Sequence, residues 1–313
     1  MGLKDAWRRR VARLEGTSPR LHRFLASPES PYPVLREVAA FAIVLALGAA
    51  ILWGSMGQPL GDSPVVVVES GSMMHCANGV GPQGNACESE RYGRIGTIDP
   101  GDLVFVKDID RPSDVGTKAG KDSRHYGRAG DVVVYQPDGD SRRTPIIHRA
   151  LFWLQINGQS ETFTIEELGL HEVTTLNVPA LQALGLQLGY AEALRSMEAG
   201  PEDSGFITRG DNNIEADQGP HSNIARLPVK AEWILGKARG EVPWLGLVKL
   251  KFSDWTVGTQ NYRNAPSDSK TMLLLSLALL LGGPYVVERI ARTRRERRAA
   301  AQGETAAPDE KVP

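Results

Sequence analysis

Cysteine is almost missing: Cys76 and Cys87 are the only two in 313 residues. Two cysteines cannot make a disulfide framework, and no second pair completes a tetrahedral metal site, although His75 adjoins Cys76. They lie in a Gly- and Asn-containing stretch, where a bridge between them is compatible with an oxidising compartment. Excess charge is missing too. The formal net charge is −1, which gives a nucleic-acid partner no electrostatic footing. No internal repeat is visible. Long apolar runs are scarce, and only two segments reach the length of a bilayer crossing.

Those two segments are Val38 to Met56 and Thr271 to Val287, neither holding a charge. A crossing helix needs roughly 17–25 apolar residues, so the first is a comfortable span and the second a short one. Arg8, Arg9, Arg10, Arg13, Arg20 and Arg23 precede the first. Arg289, Arg292, Arg294, Arg295, Arg297 and Arg298 follow the second. Between the two segments acids outnumber bases. Basic flanks stay on the inner face. The expected layout is therefore a basic tail over 1–37, a transmembrane helix over 38–56, an extracytoplasmic domain over 57–270, a second helix over 271–287 and a basic tail over 288–313. The expected location is a cell membrane, crossed more than once. A cleaved secretory signal fits poorly, because the apolar run starts too far in and is too long.

The outer segment reads as short strands between Gly and Pro turns. Apolar runs occur at Val65-Val66-Val67-Val68, Leu103-Val104-Phe105-Val106, Val132-Val133-Val134-Tyr135, Ile146-Ile147-His148, Phe206-Ile207 and Trp233-Ile234-Leu235. Pro137-Asp138-Gly139-Asp140 joins two of them as a hairpin turn. The reading is a mostly β, compact domain. Residues 111–128 are charged and Gly-rich and read as an exposed loop. Residues 161–199, rich in Leu and Ala, read as a helical or mixed insertion spanning about 155–204.

A hydroxyl is a weak nucleophile that needs a base. Ser72 follows Gly71 in a polar turn after an apolar strand. Of the six histidines, His22 lies in the inner tail, His75, His125 and His221 in polar loops, and His171 in the insertion. Only His148 sits in a strand-like apolar stretch, which fixes the direction of an imidazole suited to base duty near neutral pH. Asp211 and Asp217 bracket a turn-forming loop, and a carboxylate there would orient the imidazole. Each has a bland alternative: a turn serine, a core histidine, a turn-capping aspartate. The acidic loop lacks the spacing of a calcium-binding hand.

The order of these pieces is more specific than any one of them. Ser70-Gly71-Ser72-Met73, Gly101-Asp102-Leu103-Val104-Phe105, Gly130-Asp131-Val132-Val133-Val134-Tyr135, Pro145-Ile146-Ile147-His148-Arg149, Gly210-Asp211-Asn212-Asn213 with Asp217, and Ile234-Leu235-Gly236-Lys237-Ala238 follow one another. The series resembles the boxes of signal peptidase I in its archaeal and endoplasmic-reticulum branch, over residues 60–255 in blocks. The resemblance implies a β domain shared with LexA-type repressors and a membrane-bound serine endopeptidase. It implies Ser72 as nucleophile, His148 as base where the bacterial branch has lysine, Asp217 as third partner and Asp211 as a helper that shapes the loop. It also implies Ser70 and the Ser72 N–H as oxyanion donors.

No metal or organic cofactor is implied. The implied partners are secretory preproteins with small residues before the cut, membrane lipid and the protein translocation channel, with no nucleic acid. About 15 residues separate Met56 from Ser72, so the site is expected close to the bilayer. The sequence departs from the pattern at His75, where the family has proline, in the cysteine loop, in the insertion and in the second span. The rivals are a self-cleaving regulator with a lysine base and a non-catalytic membrane scaffold.

Overall fold

The computed structural model describes residues 33–58, 63–74, 97–121 and 123–304. His22, His75, Cys76 and Cys87 lie outside the described residues, and with them the disulfide expectation. The chain divides into two units at Pro64. The first holds helix α1 (Pro33–Met56), whose Phe41, Val44, Leu47 and Ile51 are exposed. Its described apolar stretch is Phe41–Met56. No single helix among the described residues is long and apolar enough to cross.

The second unit is built on antiparallel strands. In chain order they are β1 (Val65–Val67), β2 (Leu103–Lys107), β3 (Arg124–His125), β4 (Arg128–Ala129), β5 (Val132–Tyr135), β6 (Ile146–Asn157), β7 (Thr162–Ile165), β8 (Leu170–Val173), β9 (Gly205–Arg209) and β10 (Ile234–Val242). The main sheet has the order β1-β2-β10-β5-β6-β7-β8, with β9 also paired to β6, while β3 and β4 pair only with each other. β-branched runs favour this extended state, and in β5 burial on both faces matches the continuous apolar run. Val132, Val133, Val134 and Tyr135 are all buried.

Strand β6, twelve residues long, pairs with three other strands. Its start pairs with β5, placing His148 opposite Val133. Its middle pairs with β9, and its end with β7. The strand thus links the sheet that carries His148 to the insertion. There, Leu154, Ile156, Phe163, Leu181, Tyr190 and Leu194 bury a core of their own. Helices α2 (Pro179–Ala183) and α3 (Tyr190–Ser196) cover it.

Two expectations change. Residues 111–128 are not simply an exposed loop. Val115 and Thr117 are buried, and the β3–β4 hairpin closes the segment. The chain is also mixed α and β rather than mostly β. Helix α4 (Leu247–Thr256) is hidden in the sequence, because Lys249 and Lys251 interrupt its apolar residues. Helix α5 (Ser267–Glu304) is 38 residues long and bends by 40° between Ser267–Leu280 and Tyr285–Arg297. The bend falls at Gly282-Gly283-Pro284, residues that loosen a helix. Together the two pieces have the length and composition of a bent span. Leu273 packs with Leu247, Leu250 and Ala265, and Trp244 donates its indole N–H to Ser276 at 3.0 Å.

Candidate active site

The turn after β1 is fixed from below. The Val68 N–H donates to the Asp102 carbonyl at 3.0 Å, and the Val68 carbonyl accepts from the Gly101 N–H at 2.8 Å. Gly101 has φ 98°, a left-handed conformation, and a side chain there would meet Leu247. Gly71, Ser72 and Met73 then make one 3-10 turn, pinned by the fully buried Met73. From above, Asn212 donates its N–H to the Ser72 carbonyl at 2.7 Å and its amide to the Gly71 carbonyl at 3.0 Å. Ser72 is therefore held on both sides while its hydroxyl stays at the surface of the turn.

His148 is buried in β6, with Nε2 2.8 Å from Ser72 Oγ and Nδ1 2.6 Å from Asp217 Oδ2. Asp217 is fully buried. Its Oδ2 also accepts from Tyr135 Oη at 2.8 Å and Thr208 Oγ1 at 2.7 Å. Gln218 binds Thr208 through both amide atoms, receiving its N–H at 2.8 Å and donating to its hydroxyl at 3.1 Å. Burial and the Asp217 charge push the Tyr135 phenol well above its ordinary pKa, so it remains a donor. With the carboxylate accepting, His148 Nδ1 carries the proton and Nε2 faces the hydroxyl as an acceptor. Ser70 Oγ lies 3.2 Å from Ser72 Oγ.

Asp211 faces another partner. Arg149 grips its carboxylate with Nε at 2.7 Å and Nη2 at 2.5 Å. The same guanidinium reaches the carbonyls of Gly130 at 2.5 Å and His125 at 3.0 Å. Asp211 thereby ties the Gly210–Asn213 loop to the β3–β4 hairpin and leaves the imidazole to Asp217. Gly210 permits the close approach. A Cβ there would stand 2.6 Å from the Ser72 carbonyl and 2.9 Å from His148 Nε2.

Composition and spacing do not single out Tyr135, Thr208, Gln218, Asn212 or Arg149. Tyr135, Arg149 and Asn212 do lie inside the ordered boxes. Thr208 carries no local signal, because its role exists only across strands. Among the described residues no three His, Cys, Asp or Glu side chains converge as metal ligands.

A hydroxyl, an imidazole and a buried carboxylate in one hydrogen-bonded line on an antiparallel sheet are the arrangement of a serine hydrolase. Curated relatives narrow the class. The chain is 30% identical to the signal peptidase complex catalytic subunit SEC11 of Schizophyllum commune, over 71% of this chain and 81% of that one. It is 24% identical to the SEC11 subunit of Paracoccidioides lutzii, over 72% and 84% of the two chains. It is 23% identical to that of Aspergillus terreus, over 70% and 81%. No protein-family model matches the chain. The chain belongs to the family of SEC11-type signal peptidase catalytic subunits.

Proposed function

We propose that the chain is a membrane-bound serine endopeptidase that removes N-terminal signal peptides from secretory precursors. The observation that carries this reading is the Ser72–His148–Asp217 line, with contacts of 2.8 and 2.6 Å. Ser72 Oγ attacks the scissile carbonyl as His148 Nε2 takes its proton. The same proton passes to the leaving amine, and the mature chain departs. Water, deprotonated by His148, then splits the acyl-enzyme and frees the signal peptide. Asp217 holds the imidazole tautomer and stabilises its charged form, with Tyr135 and Thr208 fixing the carboxylate. Ser70 Oγ and the Ser72 N–H stabilise the oxyanion. Asp211 shapes the loop over the nucleophile turn.

β1 is the outermost strand of the sheet and leads directly into Ser72. An extended substrate lies along this part of the domain, a form of strand addition. Small side chains at the first and third positions before the cut match the usual signal-peptide pattern. The apolar 38–56 segment and the bent apolar part of α5 serve as anchors. Their basic flanks face the inside and the catalytic domain faces the outside. The names of the fungal relatives support a further reading, that the chain works with other subunits.

The test uses membranes carrying the wild type, Ser72→Ala or His148→Ala, incubated with a preprotein. The wild type processes it, and each variant is slower by about 10⁴-fold or more. Wild-type rates in both variants would remove the assignment. Protease treatment of sealed vesicles checks the topology. Both tails are expected to be protected on the cytoplasmic side, and cleavage of the C-terminal tail from outside would remove the second anchor.

A further inference from the structure

The insertion touches the site through the turn that joins α2 to α3. Helix α2 ends in a glycine cap. Gly185 has φ 97°, its N–H donates to the Gln182 carbonyl at 2.8 Å, and the Leu186 N–H donates to the Leu181 carbonyl at 3.0 Å. Leu181 and Leu186 are both buried, the apolar contact that accompanies such a helix end. The cap fixes where the Gly185 carbonyl points. That carbonyl accepts the Ala216 N–H at 2.7 Å.

Ala216 immediately precedes Asp217, and its side chain belongs to the insertion's own core. The Asp217 N–H goes instead to the Thr208 carbonyl on β9, at 2.8 Å. Two successive N–H groups are thus held by two different parts of the domain. Tyr135 and Thr208 orient the carboxylate itself. The insertion fixes the backbone from which that carboxylate starts.

Gln187, two residues further along the turn, spans the same loop. Its Nε2 donates to Glu215 Oε2, and its Oε1 accepts the His221 N–H at 3.3 Å. Glu215 precedes Asp217 in the chain and His221 follows it, so one amide closes the loop around the carboxylate. Gly219 leaves room for that amide, since a Cβ there would stand 2.5 Å from Gln187 Oε1. A Cβ on Gly185 would stand 2.6 Å from both the Ile214 carbonyl and Arg209 Nη1. Contacts this close transmit a displacement rather than absorb it.

We propose that Gly185 and Gln187 are positioning residues for the reaction, and that the insertion clamps the Asp217 loop so that the carboxylate meets His148. The proposal rests on the reading of Ser72, His148 and Asp217 as the catalytic line. The test uses the full chain in detergent, with steady-state kinetics on a cleavable peptide. Gln187→Ala should lower kcat about fivefold, the worth of one hydrogen bond, with KM nearly unchanged. Gln187→Glu should lower it too, by setting two carboxylates against each other. Adding Glu215→Gln to Gln187→Glu restores an amide–carboxylate pair and should recover most of the loss. Gly185→Ala should cost more than Gln187→Ala, and if it fails to fold the Gln187 series carries the test. Leu188→Ser, in the same turn but exposed, should leave kcat as it is. Proton NMR without substrate follows the His148 Nδ1–H, which a short bond to a carboxylate moves far downfield. That resonance should shift or fade in Gln187→Ala and return in the double variant.

A wild-type kcat and resonance in Gln187→Ala overturn the proposal, even if its unfolding midpoint falls, since the turn would then support stability alone. A lower kcat with an unmoved resonance overturns it as well, because the effect would not run through Asp217. So does a double variant no better than Gln187→Glu. A wild type that cleaves no peptide takes down the protease reading, while the substrate-free resonance still decides the clamp.

Discussion

A serine hydroxyl gains reactivity only where its proton has a fixed destination, and here that destination depends on residues well outside the serine's own turn. His148 Nε2 is aimed by Asp217, and Asp217 by Tyr135 and Thr208. Asp217→Asn should lower kcat by about 10⁴-fold with KM nearly unchanged, because the wrong tautomer then faces Ser72. Thr208→Val removes one of the carboxylate's donors and should cost about tenfold in kcat, as one hydrogen bond is worth roughly 1.5 kcal/mol. Steady-state kinetics on a peptide substrate checks both, and a larger loss for Thr208→Val than for Asp217→Asn would contradict the order of roles. Gly210→Ala probes the packing. Its methyl would press on the Ser72 carbonyl and His148 Nε2. A displacement near 1 Å at a reacting group costs about 10²-fold in kcat. Ser72, His148 and Asp217 are legible in the sequence through the order of their boxes. The supporting roles of Tyr135 and Thr208 are not, although Tyr135 closes one of those boxes, since hydrogen bonds across β5 and β9 leave no trace in local spacing.

At the scale of elements, β6 does the most. It carries His148 at one end and feeds the insertion core at the other, so the extra 155–204 segment is welded to the sheet rather than tethered to it. Most strands are legible because Val and Ile runs favour extended backbone. β7 and β8 are not. Thr162-Phe163-Thr164-Ile165 is short and sits among acids, and its pairing with β6 is the hairpin's own. The β3–β4 hairpin is hidden inside a charged stretch because its backbone carbonyls hold it to Arg149, and carbonyls have no sequence signature. Arg149 also closes on Asp211, with both side chains buried. Breaking a buried pair by removing one partner costs about 3–5 kcal/mol. Asp211→Ala should therefore lower the unfolding midpoint strongly, and Asp211→Asn much less. Thermal unfolding of the detergent-solubilised chain distinguishes the two, and equal midpoints would argue that the pair contributes nothing.

At the scale of the whole molecule, charge and apolar surface set the conditions under which the fold operates. Burial pushes the Asp102 carboxyl up to about 7, against the backbone N–H groups of Trp244 and Asp99 that favour its ionised form. Between pH 3.8 and about 7 the folded chain keeps a proton there that the unfolded chain has lost. The folded state is thus penalised progressively as pH rises through that window. Asp102→Asn should flatten the decline of the unfolding midpoint between pH 4 and 7, because the penalty of about 1.4 kcal/mol per pH unit of displacement disappears with the buried acid. An unchanged slope would rule out Asp102 as its source. The basic ends and the acidic middle are legible from charge counts alone. The short helix α4, with Phe252 and Trp255 exposed, is not, because Lys249 and Lys251 break up its apolar residues.

All three scales bear on one proposed event, a covalent bond between Ser72 and substrate. Rapid acid quenching of the wild type during turnover of an activated peptide ester, followed by mass spectrometry of its fragments, reads that bond directly. An acyl adduct is expected on the fragment holding Ser72 and absent from Ser72→Ala. An adduct on another residue, or Ser72→Ala turning over the ester as fast as the wild type, would contradict the assignment.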